Sequence, residues 1–222
     1  MNAFTIIDAE QRTPIWYAAR LGNLTGSVAG DMLAKIKSGE AASRRNLRLR
    51  LVLERLTGKS MESDFISPAM QAGIDREADA VAAYEALTGN LVRRTGFLAH
   101  PTLRAGCSLD GHLGDFQALL SVKCRQPAAH LDFLRSGTIP ADALAQMRHE
   151  LWITGAASHE YFSWNPDFPD TLQARVVTLA RDAADLAGYD ADARAFLAEV
   201  DRDEAAVRTL ADVGAQLRSA VA

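Results

Sequence analysis

The hydrophobic pattern is most informative between residues 107 and 124. Leu119-Leu120-Ser121-Val122-Lys123-Cys124 is an apolar run of strand length, and Gly114-Asp115 supplies turn chemistry that would pair it with a preceding limb, Cys107-Ser108-Leu109-Asp110-Gly111. A β-hairpin is expected, its first limb ending at Asp110-Gly111. A period of two puts Ser121 and Lys123 on one face of the second limb and Val122 on the other. A lysine closing an apolar run needs an anion, because an unpaired buried ammonium is costly, and Asp110 is the nearest candidate.

On either side of this hairpin the periodicity is mainly helical. Thr13 to Arg20 reads as a helix with Pro14 in its first turn, Trp16 and Tyr17 as apolar anchors and Gly22 as its stop. Leu24-Thr25-Gly26-Ser27 leads into a second helix, expected over Val28 to Ile36, and a third spans roughly Ser43 to Leu56. Ser67-Pro68 opens a long helix to about Leu87, ended by Gly89, with Met70, Ile74, Ala78, Val81 and Tyr84 as its stripe. Leu91 to Ala99 reads as a single strand. Pro127 to Arg135 and Pro140 to Gly155 read as helices, and Glu160 to Trp164 as a strand. The last fifty or so residues are expected to form one or two amphipathic helices with acidic outer faces.

Composition fits one domain: 222 residues, 48% hydrophobic and 23% charged. No apolar run approaches the roughly 18 residues of a membrane span, and the N-terminus lacks the pattern of a secretory signal, so a cytoplasmic protein is expected. Cys107 and Cys124 are then expected to be reduced, and no spacing of Cys and His suggests zinc. The net charge of −4 conceals an uneven distribution. Arg44, Arg45, Arg48, Arg50 and Arg55 crowd one helix, opposed within it only by Glu54, whereas no lysine occurs from Asp167 onward. Such an arginine face fits either phosphate contact or plain solvation.

Three local features carry candidate chemistry, each with an ordinary alternative. Asp110 and Lys123 suit a metal-dependent phosphodiesterase centre or a structural ion pair. Arg20, with Thr25 and Ser27 at a helix start, suits a phosphate pocket or a simple helix cap. Glu77 falls on or beside the stripe of the long helix, where it wants a cation, either in a site or in a salt bridge to Arg76 or another residue. His149 fits a ligand less well than a hydrogen-bonded structural residue.

Taken in order, Arg20-Leu21-Gly22-Asn23-Leu24-Thr25-Gly26-Ser27, Gly73-Ile74-Asp75-Arg76-Glu77, Cys107-Ser108-Leu109-Asp110-Gly111, Val122-Lys123-Cys124 and the segment from Gln146 to Trp152 resemble the PD-(D/E)xK nuclease superfamily. Within it they are most similar to the lambda-exonuclease-type, YqaJ-like viral recombinases, the alkaline exonucleases. The resemblance covers about Trp16 to Pro166. It implies an α/β (α+β) fold with a restriction-endonuclease-like core, a central mixed β-sheet flanked by helices. The nuclease domain would fill residues 1–222, with its core at about 13–166 and C-terminal helices at about 168–220.

The activity implied is a Mg²⁺-dependent (or Mn²⁺-dependent) 5′-to-3′ exonuclease acting on double-stranded DNA ends, working with a single-strand annealing protein and assembled as a homotrimer, with no membrane. By the same resemblance Glu77, Asp110 and the carbonyl of Val122 are metal ligands, Lys123 is the catalytic lysine, and Gln146 belongs to the family's Gln-bearing helix. Arg20, Thr25 and Ser27 are implied to bind the 5′-phosphate, Met70 to wedge the duplex end, and Arg45 and Arg48 to line a basic DNA channel. The departure is Ser121, which stands where the family carries an acidic metal ligand. A serine oxygen can approach Mg²⁺ directly or through water but brings no charge. Either the remaining ligands suffice, or Asp115 substitutes, or the chain binds DNA ends without cutting. A related endonuclease is a further alternative.

Overall fold

The computed structural model of the chain describes residues 4–61 and 67–221, without the side chains of 69–70 and 211–221. It is a mixed α/β fold with two sheets. In chain order the elements are β1 (Thr5–Ile7), α1 (Pro14–Arg20), β2 (Leu24–Thr25), a 3-10 turn (Gly26–Val28), α2 (Ala29–Met32), α3 (Ala42–Thr57), α4 (Pro68–Asp75) and α5 (Glu77–Thr88). There follow β3 (Val92–Arg93), β4 (Phe97–Ala99), β5 (Ala105–Cys107), β6 (Gly111–Leu113), β7 (Ala118–Lys123), α6 (Pro127–Ser136), α7 (Ala141–Thr154), β8 (Ser158–Trp164), β9 (Ala174–Ala180) and α8 (Leu186–Val221).

The smaller sheet has the order β1-β4-β5-β2 and the larger β3-β6-β7-β8-β9. In the larger sheet β7 and β8 are parallel, joined through α6 and α7, while the other pairings are antiparallel. Strand β7 is covered on both faces, as its apolar run requires. Leu119 joins the main core with Leu51 of α3, Leu98 of β4, Leu151 of α7 and Phe196 of α8. Leu120 and Val122 turn the other way, onto Ala80 and Tyr84 of α5 and Phe162 of β8.

Several elements depart from the sequence pattern. The hairpin is real, but its first limb is β6, which begins at Gly111; Cys107 belongs to β5 in the smaller sheet, and Ser108 to Asp110 form the crossover between the sheets. The strand expected over Leu91 to Ala99 is two strands, because β3 pairs with β6 while β4 pairs with β1 and β5. The chain changes sheets at Gly96, where an added Cβ would lie 2.0 Å from the carbonyl oxygen of Ile7, so only glycine fits that approach.

The long helix is interrupted at Arg76, which makes Glu77 the first residue of α5. The helix expected over Val28 to Ile36 closes at Met32, where its buried face ends; Ile36 is 56% exposed. In place of purely helical C-terminal structure, β9 adds an edge strand to β8, its Val176 and Val177 packing on opposite faces. One 36-residue helix, α8, follows it. Strand β1, three residues long, is too short to show a period in the sequence. No described helix is long and apolar enough to cross a membrane.

Candidate functional site

Residues far apart in the chain meet at the crossover between the two sheets. Asp110 leaves β5's connection just before β6, where its Oδ2 accepts a hydrogen bond from the backbone N–H of Val122 at 2.9 Å. The same oxygen lies 3.5 Å from Nζ of Lys123. The carboxylate is thus pinned to the end of β7 by backbone and side chain together. Asp110 beside it, and next Glu150, hold the Lys123 ammonium above the usual lysine range against the opposing effect of burial.

Around this pair opens a cleft of about 920 Å³, to which Glu77, Gln146, Arg20 and Ser27 also contribute. The break at Arg76 is what aims Glu77 into it: as the opening residue of α5 its carboxylate meets Arg94 at 3.2 Å and Arg12 at 3.9 Å. Arg76 itself pairs with Asp167. Arg12 has a left-handed backbone, φ 67°, uncommon for a residue with a side chain.

The opposite wall is built by α1 and the turn after it. Arg20 stacks its guanidinium 4.3 Å from the Trp16 ring centroid and donates from Nη2 to Ser27 Oγ at 3.4 Å. Ser27 Oγ in turn lies 3.3 Å from Thr25 Oγ1. This wall is anchored from behind at Gly22, whose N–H donates to Glu54 and whose carbonyl accepts from Arg55. With φ 66° and Arg55 Cγ 2.6 Å from where a Cβ would stand, position 22 requires glycine. The helix start expected here is a 3-10 turn followed by a single α-turn, so the anion chemistry falls to Arg20 and the two hydroxyls rather than to a helix dipole.

Glu77, Asp110, Val122, Lys123, Gln146, Arg20 and Ser27 therefore share one cleft, with Thr25 buried directly behind Ser27. Ser121 is buried, 2% exposed, on the strand beneath. Met70 sits on α4, but its side chain lies outside the described residues. Arg48 departs from the expected channel: it pairs with Glu40 and Asp203, and the cleft is lined without it. Arg45 is exposed on α3, also outside the cleft lining. Asp115 is in the β6–β7 turn, at the opposite end of β7 from Lys123, and does not replace an acid at position 121.

Trp16, expected as an apolar anchor, lines the cleft and donates through Nε1 to Ser108 Oγ. Taken singly, Arg12, Arg94, Arg125 and Glu150 carry no signal of a site in the sequence, yet all four lie in or around this cleft. Arg125 follows Lys123 by two residues and hydrogen-bonds the Tyr161 hydroxyl. His149 is structural: buried, bonded to the Gly106 carbonyl and the Tyr189 hydroxyl, and pushed down to about 4 by burial. Cys107 and Cys124 are free thiols.

Among the described residues no three His, Cys, Asp or Glu side chains form a ready metal cage. The acidic groups of the cleft are the carboxylates of Glu77 and Asp110, which suits a hard cation of the Mg²⁺ type, since that ion is usually held by one or two carboxylates plus substrate phosphates.

Residues 15–157 match the family model of the YqaJ-like viral recombinase domain. The chain is similar to the alkaline exonuclease LHK-Exo of Laribacter hongkongensis, with 33% identity, 90% of this chain and 98% of that one covered, and a TM-score of 0.81. LHK-Exo in complex with dAMP matches with the same identity and TM-score, over 90% and 100% of the two chains. A phage-related exonuclease from Haemophilus somnus 129PT shares the fold at 11% identity, covering 83% and 96%, with a TM-score of 0.63. No curated protein sequence matches. The chain belongs to the YqaJ-like viral recombinase family.

Proposed function

We propose that the chain is a divalent-metal-dependent exonuclease that degrades the 5′-ended strand of linear double-stranded DNA. The observation that carries this reading is the single cleft in which the Asp110–Lys123 pair, Glu77 and Gln146 face Arg20 and Ser27. Its relatives named alkaline exonucleases support the same chemistry. Asp110, Glu77 and the carbonyl of Val122 would hold Mg²⁺ or Mn²⁺, and the family relation makes DNA the phosphodiester substrate. Such a cation supplies Lewis-acid stabilisation of charge on the scissile phosphate.

The protein's own groups do the rest. Lys123, kept charged by Asp110, orients the attacking water and stabilises the developing negative charge. Gln146 positions the substrate phosphate from the α7 side. Arg20, with Ser27 and Thr25 beside it, grips the terminal 5′-phosphate and thereby sets polarity. Trp16, beneath the Arg20 guanidinium, keeps that grip rigid. A trimeric ring around the duplex, and delivery of the remaining 3′ strand to a single-strand annealing protein, complete the reading.

Digestion of linear duplex with and without a 5′-phosphate, in Mg²⁺ and in chelator, tests it. Metal-dependent nucleotide release from phosphorylated ends, reduced on the order of 10²–10⁴-fold in Lys123→Ala, is the expected result. Cutting of closed circular DNA would instead mean an endonuclease. The neutral Ser121 favours a second reading, end binding without cleavage, and a native chain that retains DNA ends but releases nothing in Mg²⁺ would establish it.

A further inference from the structure

Ser121 leaves the catalytic face of β7 without a carboxylate, and the fold brings one there from a different element. Glu150 lies on α7, four residues after Gln146, so the two share a helix face. It is 1% exposed. Its Oε1 accepts from Gln146 Nε2 at 2.7 Å and its Oε2 from His159 Nε2 at 2.5 Å. His159 is on β8 opposite Leu119 of β7, and Tyr161 is opposite Ser121. Paired residues in neighbouring strands share a face, so His159 and Tyr161 flank the Leu119-Ser121-Lys123 side of the sheet, and Glu150 rests against it.

The phosphate-side turn closes over the same carboxylate. An added Cβ at Gly26 would lie 3.3 Å from both Glu150 Oε1 and Gln146 Cγ, so the backbone between Thr25 and Ser27 packs on this pair. A buried carboxylate is costly even when hydrogen-bonded, which makes its position beneath a charged cleft informative. The other acid nearby on β8, Glu160, is committed elsewhere, accepting from the Tyr84 hydroxyl at 2.7 Å.

We propose that Glu150 stands in for the carboxylate missing at position 121: from α7 it supplies the negative charge the β7 face lacks and acts as a positioning residue for Gln146. This rests on reading the cleft as a metal-dependent nuclease site. The two are separated by comparing the native chain with Glu150→Gln, Ser121→Glu and the double variant, each measured for Mn²⁺ binding by calorimetry without DNA, for thermal unfolding, and for nucleotide release.

Under the proposal Glu150→Gln weakens Mn²⁺ binding and slows release by about 10–100-fold, the size seen when groups supporting a metal site are removed. Adding Ser121→Glu to it restores both. Ser121→Glu alone, which crowds two carboxylates together, gains nothing, and this arm holds even if Glu150→Gln unfolds. Glu150→Gln behaving like the native chain, or Ser121→Glu alone raising binding and release about tenfold or more, would overturn the role of Glu150 while leaving the nuclease site intact. Metal-dependent release from none of the four chains would instead remove the nuclease reading itself, and the proposal with it.

Discussion

Along the contact between α3 and α8, each of three arginines meets at least two carboxylates. Arg44 reaches Glu40 at 2.6 Å and Glu199 at 2.7 Å, Arg48 reaches Glu40 and Asp203, and Arg55 reaches Asp201 at 2.7 Å and Glu204 at 3.5 Å. In the cleft Arg20 stacks on an aromatic ring and donates to a hydroxyl, and Lys123 pairs with Asp110 at 3.5 Å. The first region is a zipper whose charges neutralise one another. The second keeps charges aimed into a cavity a substrate can enter. A run of arginines is therefore a poor guide to an unneutralised basic surface in this chain, because Glu40 beside it and acids some 150 residues later in the chain pair with it.

The comparison breaks most sharply at Arg55, which belongs to both regions. Its side chain is fully buried, with Nε on the Gly22 carbonyl behind the Arg20 wall and Nη1 on the acids of α8. Arg55→Met removes both attachments and leaves Glu204, 14% exposed, without that cation. The expected loss is about 2 kcal/mol in denaturant unfolding, from the charge-assisted hydrogen bonds lost at the Gly22 carbonyl and Glu204. The preference for 5′-phosphorylated ends should fall as well, because the Gly22 turn is released. An unfolding midpoint equal to that of the native chain would mean that α3 and α8 hold together by apolar packing alone.

Acid should separate the zipper from the rest of the molecule. Hydrogen bonding to Arg48, opposed by burial and helped by Arg44, keeps the Glu40 carboxyl below its usual value of 4.5. Its contribution to stability is therefore present above that value and is lost as the pH falls through the lowered one. His149 has the same sense by a different route. Held neutral, and pushed from 6.5 to about 4, it lets the unfolded chain take up a proton first as the pH drops through that interval. That loss is common to all variants, so the difference between the native chain and Arg44→Met/Arg48→Met isolates the zipper. Denaturant midpoints measured from pH 6 to pH 3 should converge below about pH 4.5; curves that stay parallel would show that Glu40 gains nothing from its arginines.

What was legible in the sequence follows the same division. The Asp110–Lys123 pair was visible because a charge at the end of an apolar strand has few explanations, and Glu77, Gln146 and Arg20 because family motifs carry them. Helices α6 and α7 were marked by their bounding Pro and Gly, and α3 by the Gly that ends it, its leucines keeping helical spacing only in part. Two-residue strands such as β2 and β3 carry no period at all, and the sheet change at Gly96 depends on the approach of Ile7, far away in sequence. Glu150 was hidden for another reason: beside Arg148 and His149 it looks like part of a polar helix face, and only its burial against Gln146 and His159 singles it out. A pairing of the neutral Ser121 with an acid four residues after Gln146 was the signal available.

The smallest effect expected is also the most direct comparison of the two regions. Each phosphate contact neutralised by a cation contributes about one unit to the slope of log affinity against log salt. Arg20→Ala, in the cleft wall, should lower that slope by about one for 5′-phosphorylated duplex measured in chelator, where no cutting intervenes. Arg48→Ala should leave it unchanged, since its guanidinium is already shared between Glu40 and Asp203, and should cost no more than about 1 kcal/mol of stability as a partly exposed ion pair. A drop in slope for Arg48→Ala would return the α3 arginines to the DNA path and require α8 to move aside when DNA binds, so this titration decides whether the zipper is a strut or a gate.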